Sequence, residues 1–354
     1  MSWIALGDGR RPLRKPGTGP DVPALLTSGS LVIEAQFHAA DMAPQCVLRM
    51  RRSNDWQRLM QVTLHADGAV LVEHRQGPAV SYANLRIARP GLEDALRITY
   101  SWDAPMRVGL LTVENLETGA LDQVDFDDPH PLPIDDAAAL VSSDGETWAD
   151  PTVVLVGVSD QIEPVGLPAG IVEGALVETA SGPRRIETLQ PGDLVVTEGR
   201  GYAPVRRVIH RELPAAGRFR PVTLYAPFFG LNRDLTVAQD HRLMIRGADA
   251  EYLFGADGVL VEARHLARTA AAPVRDRQAT VAYVQVVLDH HDCLMVSGAW
   301  VESLYLGDRG KDPARLASAA LVDCAPGELP LHGTVASPLL KSYEAMVLVS
   351  ALSA

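Results

Sequence analysis

The sequence predicts a mostly β protein: an antiparallel β-sandwich of the jelly-roll type, a second all-β domain and a short helical tail. Up to about residue 158, short β-rich runs are separated by turn signals every ten residues or so, with little helical periodicity. A junction containing Pro and Gly follows, over residues 159–170. A second series of short β-rich runs then extends to about residue 307. At 354 residues and 47% hydrophobic content, the chain is long enough for two domains with substantial cores.

Composition excludes several classes of protein. The formal net charge is −12 and aromatic residues make up 5% of the chain, which argues against a nucleic-acid partner. The cysteines Cys46, Cys293 and Cys324 are odd in number and far apart, so they do not form a disulfide framework. No apolar run has the length of a signal-peptide core at the N-terminus or of a membrane span elsewhere. We therefore expect a soluble chain without membrane insertion, either cytoplasmic or exported without an N-terminal signal.

The first 160 residues divide into an arm and a strand-rich domain. Residues 1–28 are rich in Gly, Pro and Arg, and we expect them to form a flexible arm. Residues 29–160 contain "SLVIEAQFHA", "QCVLRMRR", a hairpin signal around Asp67-Gly68, "ALRITYSWD" and "TVVLVGV". The order of these strands resembles a concanavalin-like or laminin-G-like jelly roll. That resemblance implies a domain that binds a glycan or a protein, in some members with Ca²⁺ at loop carboxylates.

Two charged stretches of this domain are open to more than one interpretation. The carboxylates between Asp122 and His130, and those of "IDDAA", are candidates for such a Ca²⁺ site. A solvated acidic loop is the simpler alternative, and we predict no cofactor. The basic stretch "RMRRSND", from Arg49 to Asp55, is interpreted as a solvated strand edge.

Five ordered blocks of sequence follow the sandwich. Four lie within residues 161–310: "GALVETASGPRRIETLQPGDLVVTEGRGYAPVRRVIHRE", "NRDLTVAQDHRLMI", "DGVLVEARHL" and "LDHHDCLMVSGAWVESLYLGD"; the fifth, "SPLLKSYEA", lies beyond them. Together they resemble the Hint domain, which has the Hedgehog/intein fold, in its bacterial Hint-2 type, and we expect that domain over residues 161–310. In the first block the family pattern is matched by Gly182, Ile186, Glu187, Leu189, Gly192, Asp193, Val195, Pro204, Val205 and Arg206. His291, Gly298, Glu302 and Ser303 match the late block. Residues 311–354 are expected to form a helical extension, with helices in "DPARLASAALVD" and after Ser337-Pro338.

The resemblance implies self-cleavage chemistry, and this sequence lacks two of its groups. In the family, a Cys or Ser attacks the preceding carbonyl, a histidine protonates the leaving nitrogen, and a Thr or Ser three residues before that histidine polarises the carbonyl. The histidine corresponds to His241. The nucleophile position is occupied by Ala169 or Gly170, and the Thr or Ser position by Ala238. Thr236 lies two residues further back, on the same strand face as Ala238 but not in its place.

We therefore expect a Hint-domain protein that has lost self-cleavage and acts as a scaffold with a binding sandwich. The alternative is an active autoprocessing protein that releases or modifies the sandwich. At most the chain would rearrange one of its own peptide bonds, and no conventional turnover enzyme is expected. His241, His291 and Thr236 are vestigial catalytic candidates, with a structural, hydrogen-bonded imidazole as the alternative for His241.

The segment "DHHDC" has a metal-like spacing. In a strand, Asp289, His291 and Cys293 would share one face and could bind Zn²⁺ with help from His241 or His265. These are weak candidates, and no metal site is predicted. Cys293 is a candidate displaced nucleophile or, alternatively, a small buried side chain.

Overall fold

The computed structural model describes residues 2–17, 22–38, 43–53, 56–91, 93–142, 145–273, 278–307, 329, 330 and 332–352. The chain divides into two compact units, Met1–Gly166 and Leu167–Ala354. Strands dominate both units, and the helices are few and short within the described ranges. The predicted mostly β fold, with a sandwich ahead of a second β domain, is confirmed.

The first unit is built from antiparallel sheets. One sheet has the strand order β11-β10-β9-β4-β14-β1-β2, a second has the order β13-β5-β6-β7-β8, and β3 and β12 form a small pair. The strands are β1 (Trp3–Gly7), β2 (Pro12–Arg14), β3 (Leu25–Leu26), β4 (Ser28–Gln36), β5 (Gln45–Arg52), β6 (Arg58–Leu64), β7 (Ala69–Gln76), β8 (Ala79–Arg86), β9 (Ala95–Asp103), β10 (Val108–Asn115), β11 (Leu121–Asp127), β12 (Leu132–Pro133), β13 (Thr147–Ala149) and β14 (Leu155–Ser159). The helix α1 spans Ile134–Leu140.

Alternation along the strands separates the two faces of the second sheet. In β8, Ser81, Ala83 and Leu85 are buried while Tyr82 and Asn84 are exposed. This is the period-2 pattern of a strand with one face against a core and the other toward solvent. The core contains Leu31, Ile33, Leu48, Met50, Met60, Val62, Val72, Leu96, Ile98, Tyr100 and Trp102.

The N-terminal residues differ from the flexible arm expected over residues 1–28. Trp3–Gly7 is a strand within the large sheet and pairs with β14, and Trp3 is only 2% exposed. The physical reason is the short apolar run "WIAL", which removes its side chains from water against a partner strand distant in sequence. The Gly- and Pro-rich composition of the segment as a whole obscures that run.

The second unit is one extended system of antiparallel strands, with a main order of β23-β22-β27-β26-β18-β19-β25-β15-β21-β20-β24 and with β16 and β17 beside it. The strands are β15 (Ile171–Val172), β16 (Leu176–Val177), β17 (Arg184–Arg185), β18 (Leu194–Thr197), β19 (Gly201–Pro214), β20 (Pro221–Leu224), β21 (Leu235–Ala238), β22 (Arg242–Arg246), β23 (Gly258–Glu262), β24 (Ala271–Pro273), β25 (Thr280–Leu288), β26 (Cys293–Val296) and β27 (Ala299–Glu302). The helices are α2 (Ala248–Phe254), α3 (Ala263–Ala270) and α4 (Ser342–Leu352).

The short strand β15 positions the segment of interest. Ile171 pairs with Val237 of β21 on one side and with Val284 of β25 on the other. The residue just before it, Gly170, is therefore held between two neighbouring strands. The surrounding core includes Val177, Val195, Leu235, Leu243, Val261, Val286, Leu294 and Val301.

The C-terminal segment contributes one described helix. The helix expected in "DPARLASAALVD" lies outside the described residues. The helix expected after Ser337-Pro338 is α4, and its residues Ala345, Leu348 and Val349 are buried in the core of the second unit. Within the described residues, no helix is both long and apolar enough to cross a membrane.

Candidate functional site

Gly170 occupies a position that has no room for a side chain. Its φ is +120°, a backbone conformation that L-residues with a side chain rarely adopt. A Cβ built on Gly170 would lie 2.5 Å from the carbonyl oxygen of Val284 and 2.7 Å from Cγ of Gln285. The Ala238 N–H donates a hydrogen bond to the Gly170 carbonyl at 2.9 Å. The backbone around Gly170 thus excludes a Cβ, and with it any thiol or hydroxyl at this position.

The other family positions near Gly170 also lack nucleophilic atoms. Ala169 is buried and carries only a methyl group. Ala238 ends β21 and is fully buried, so no hydroxyl occupies its place. The hydroxyl of Thr236 lies 2.9 Å from the hydroxyl of Thr223 across the β20–β21 pair. Thr236 is therefore hydrogen-bonded within the sheet.

His241 lies in the turn between β21 and β22, close to Ala238 along the chain. Its N–H donates to the Ala238 carbonyl at 3.2 Å, and its carbonyl accepts from the Ala263 N–H at 2.8 Å. Its side chain is buried, and Nε2 has no hydrogen-bond partner among the described residues. Burial lowers the pKa of His241 to about 4, with the Arg242 charge acting in the same direction and Glu302 opposing it. The imidazole is therefore neutral at pH 7.

Arg242, His291 and the buried Glu302 form a polar network beside His241. The Glu302 carboxylate lies 3.0 Å from the Arg242 guanidinium and 3.0 Å from Nε2 of His291. The Ala336 N–H donates to Nδ1 of His291 at 2.8 Å, so the ring proton of a neutral His291 is on Nε2, facing Glu302. Although burial raises the pKa of Glu302, the His291 contact and the Arg242 charge outweigh it and lower that pKa. Glu302 is thus a carboxylate at neutral pH.

The metal-like segment is not a continuous strand. β25 ends at Leu288 and β26 begins at Cys293, so the strand alternation expected for Asp289, His291 and Cys293 does not hold. Two adjacent histidines and two aspartates form a polar turn between the strands. Asp289 is ion-paired with Arg206, while His291 faces inward. Across the described part of the chain, no three His, Cys, Asp or Glu side chains are grouped so as to hold a metal ion.

The remaining candidates of that site also have other neighbours. Cys293 is fully buried and packs with Met244 and Leu260. Burial raises the pKa of the Cys293 thiol, and nearby carboxylates add to the effect, so it stays protonated. His265, in the first turn of α3, lies 3.7 Å from Glu262, the last residue of β23.

Three polar residues near this site were missed at the sequence level. Gln285 is buried beside Gly170, and its Oε1 has no hydrogen-bond partner among the described residues. A lone glutamine in the apolar run "AYVQVVL" was a visible signal for it. Arg242 follows His241 directly in the sequence, but no sequence pattern indicated that it would pair with Glu302. His332 is buried. Its Nδ1 accepts a hydrogen bond from the Leu306 N–H at 3.1 Å, and its Nε2 lies 3.0 Å from the Leu288 carbonyl oxygen, so both ring nitrogens are hydrogen-bonded to the backbone.

The acidic stretch of the first unit is not a loop. Residues 121–127 form strand β11 and pair with β10. Asp128 pairs with Arg107 at 2.5 Å. Asp136 of "IDDAA" is buried in α1, 3.2 Å from Arg52 and 3.5 Å from Arg58. These carboxylates are dispersed over separate elements.

Comparisons with known proteins give one family match. The Hint domain family model matches residues 169–308. A search of curated proteins found no significant match. Among solved structures, the chain is similar to the CBM40 of the Ruminococcus gnavus IT-sialidase, with 17% identity, 46% of this chain and 91% of that chain covered, and a TM-score of 0.31.

Two further structures show similarity at the same low level. The same CBM40 bound to α2,3-sialyllactose has 16% identity and a TM-score of 0.29, with 38% of this chain and 76% of that chain covered. The LG1-3 region of the laminin α2 chain has 10% identity and a TM-score of 0.28, with 86% and 56% covered. These scores identify no ligand for this chain. The family match identifies residues 169–308 as a Hint domain.

Proposed function

We propose that this is a Hint-domain protein that no longer cleaves itself. In this proposal the Hint domain serves as a rigid β scaffold, and the sandwich of the first unit binds a glycan or a protein. The observation that carries the proposal is Gly170, where the residue expected to supply the nucleophile has no side chain and a Cβ would meet the Val284 carbonyl at 2.5 Å.

Peptide-bond rearrangement requires a sulfur or oxygen atom next to the carbonyl that it attacks. No Cys, Ser or Thr occurs between Gln161 and Glu178. The nearest hydroxyls on either side are engaged: Ser159 donates to Glu163 at 2.6 Å, and Thr179 donates to the Gly182 carbonyl at 2.6 Å. The segment from Ser159 to Thr179 therefore offers no replacement nucleophile at the expected carbonyl.

His241 is also poorly suited to protonate the leaving nitrogen as a general acid. With a pKa of about 4, roughly one His241 in a thousand carries the imidazolium form at pH 7. Ala238 contributes its backbone N–H to the Gly170 carbonyl but no hydroxyl. Of the three groups that the family chemistry uses, only the His241 imidazole is present, and it is neutral at pH 7.

The alternative, an active autoprocessing protein, has one observation in its favour. His241 is hydrogen-bonded through its backbone to Ala238 and keeps an Nε2 without a partner among the described residues. A buried polar atom left unpaired costs about 1 to 3 kcal/mol, which a purely structural imidazole would avoid. Self-cleavage assisted by His241 would then need a nucleophile other than a Cys, Ser or Thr at the family position.

Incubation of the purified chain with a thiol and with hydroxylamine separates the two. A thiol cleaves a thioester by exchange, and hydroxylamine cleaves both the thioester and the ester that a rearranged peptide bond could form. We expect a single band at the full mass of 38.1 kDa on denaturing electrophoresis. Two fragments that divide near residue 170 and sum to that mass would overturn the proposal in favour of autoprocessing.

A further inference from the structure

We infer that the solvent face of the sheet β13-β5-β6-β7-β8 binds an acidic saccharide that lies across its strands. We call this surface the outer face. The inference rests on the proposed role of the sandwich as a binding domain, and it adds the location of the site and the chemistry of the ligand.

The strand register places five side chains in one row across the sheet. Trp148 is opposite Arg49, Arg49 is opposite Gln61, Gln61 is opposite Glu73, and Glu73 is opposite Tyr82. Directly opposed residues project their side chains to the same face. Four strand spacings of about 4.8 Å each separate the two ends, so the row is about 19 Å long. It has an aromatic ring at each end and hydrogen-bonding groups between them.

The row faces solvent. Trp148 is 43% exposed and Tyr82 is 53% exposed, whereas Ser81 and Ala83, the neighbours of Tyr82 along β8, project to the opposite face and are buried. Exposed aromatic rings present flat apolar surfaces together with a polar edge. Such surfaces stack against the C–H faces of sugar rings, and the spacing between these two suits a chain of several rings.

The charge on the outer face selects an acidic ligand. Arg49 and Arg51 are exposed, and neither guanidinium is within ion-pair distance of a described carboxylate. Arg75 lies in the next row and pairs with Glu73 at 2.9 Å, so the face keeps an excess of positive charge. The whole chain carries −12, which makes this patch a local exception. A guanidinium binds a carboxylate or sulfate with two parallel hydrogen bonds.

An acidic peptide fits this face less well. Peptides gain affinity by adding a strand at a sheet edge or by inserting side chains into apolar grooves. The row lies on the face of the sheet rather than at its edge, and Gln61 and Glu73 occupy its middle. Leu59 and Leu71, on neighbouring rows, are only partly exposed. Flat aromatic ends with polar side chains between them are complementary to a saccharide.

Isothermal titration calorimetry on the full chain tests the inference with defined probes. The probes are tetragalacturonate, a sulfated galactotetraose, neutral galactotetraose and hexaglutamate. The test variants are Trp148→Ala and the double variant Arg49→Gln, Arg51→Gln. Matched controls from the second unit are Tyr252→Ala, which removes a ring that is 88% exposed, and the double variant Arg200→Gln, Arg233→Gln.

We expect one of the acidic saccharides to bind and both test variants to bind it at least roughly tenfold more weakly, because Trp148→Ala removes a stacking ring and the arginine variant removes charge-assisted hydrogen bonds. The control variants should bind like the parent, and added salt should weaken binding. Equal or tighter binding of hexaglutamate would overturn the inference in favour of an acidic peptide. Binding of the neutral saccharide that the arginine variants leave unchanged would overturn it too, while leaving the sandwich as a glycan-binding domain. If no saccharide binds, both the inference and the glycan-binding form of the proposed function fail.

Discussion

The substitution Gly170→Ala tests whether the backbone at Gly170, one of the two positions expected to correspond to the nucleophile of the family, accepts any side chain. Alanine adds the Cβ shared by cysteine, serine and threonine, and nothing else. That atom would be 2.5 Å from a backbone oxygen of Val284, which cannot rotate away as a flexible side chain could. We therefore expect Gly170→Ala to destabilise the second unit strongly.

The magnitude follows from two separate costs. A non-glycine residue at a φ of +120° costs about 1 to 3 kcal/mol of backbone strain. Crowding against a packed interior costs about another 1 to 3 kcal/mol. Gly174 is the matched control, because its φ is +92° and a Cβ there would meet nothing within 4 Å. Gly174→Ala carries the strain alone, so the two variants should differ by about 1 to 3 kcal/mol in the free energy of unfolding.

Urea denaturation measures that free energy, and hydrogen exchange read by mass spectrometry assigns the loss to the second unit. Amides near Gly170 and Val284 should lose protection in Gly170→Ala but keep it in Gly174→Ala. If Gly170→Ala is no more destabilising than Gly174→Ala, the site has room for a side chain. The reasoning that excludes a nucleophile on geometric grounds would then be wrong.

Three further predictions concern pH, the charged network and reconstruction of the site. Burial, reinforced by nearby His130, lowers the pKa of His74 from 6.5 to about 3, so its neutral form stabilises the fold fully above pH 6.5 and that contribution is lost as pH falls toward 3. The unfolding free energy that His74 removes between pH 6.5 and 3 amounts to at most about 4 to 5 kcal/mol. In His74→Leu the unfolding free energy should therefore fall less steeply with decreasing pH, and a dependence equal to that of the parent in denaturation at pH 7, 5 and 4 would contradict this. Glu302→Ala removes the carboxylate that contacts the partly exposed Arg242 and the buried His291 and should cost about 1 to 3 kcal/mol in urea denaturation, whereas a loss below about 0.5 kcal/mol would show that solvent screens these contacts. The double variant Gly170→Cys, Ala238→Thr should stay uncleaved in the presence of thiol, because the Cβ of Cys at position 170 would clash with the Val284 carbonyl oxygen. Thiol-dependent fragments on electrophoresis would refute this.

Sequence reasoning predicted the parts of the fold that depend on local pattern. The β-rich runs that form β4 and β9 and the Asp67-Gly68 hairpin are visible within a few residues. The N-terminal strand was missed because its partner, β14, is about 150 residues away and no local signal announces the pairing. The polar run at Asp289 was interpreted as a strand, yet charged side chains on both sides favour a turn between two strands.

The features of the candidate sites could be predicted from the sequence to different degrees. The absence of a nucleophilic side chain at Gly170 follows directly from the amino-acid sequence. The steric exclusion does not, because it depends on how closely β25 approaches, and the two segments are more than 100 residues apart. The row from Trp148 to Tyr82 was equally invisible: it exists only through the register of four strand pairs, so the arginines of "RMRRSND" appeared as an isolated basic patch.

The intact mass of the purified chain is the most direct test of the central claim that the Hint domain does not cut its own backbone. The account predicts one species at the full 38.1 kDa, unchanged after prolonged incubation at neutral pH with and without thiol. A time-dependent pair of masses, whose sum corresponds to the intact chain and whose boundary maps next to Gly170, would contradict it.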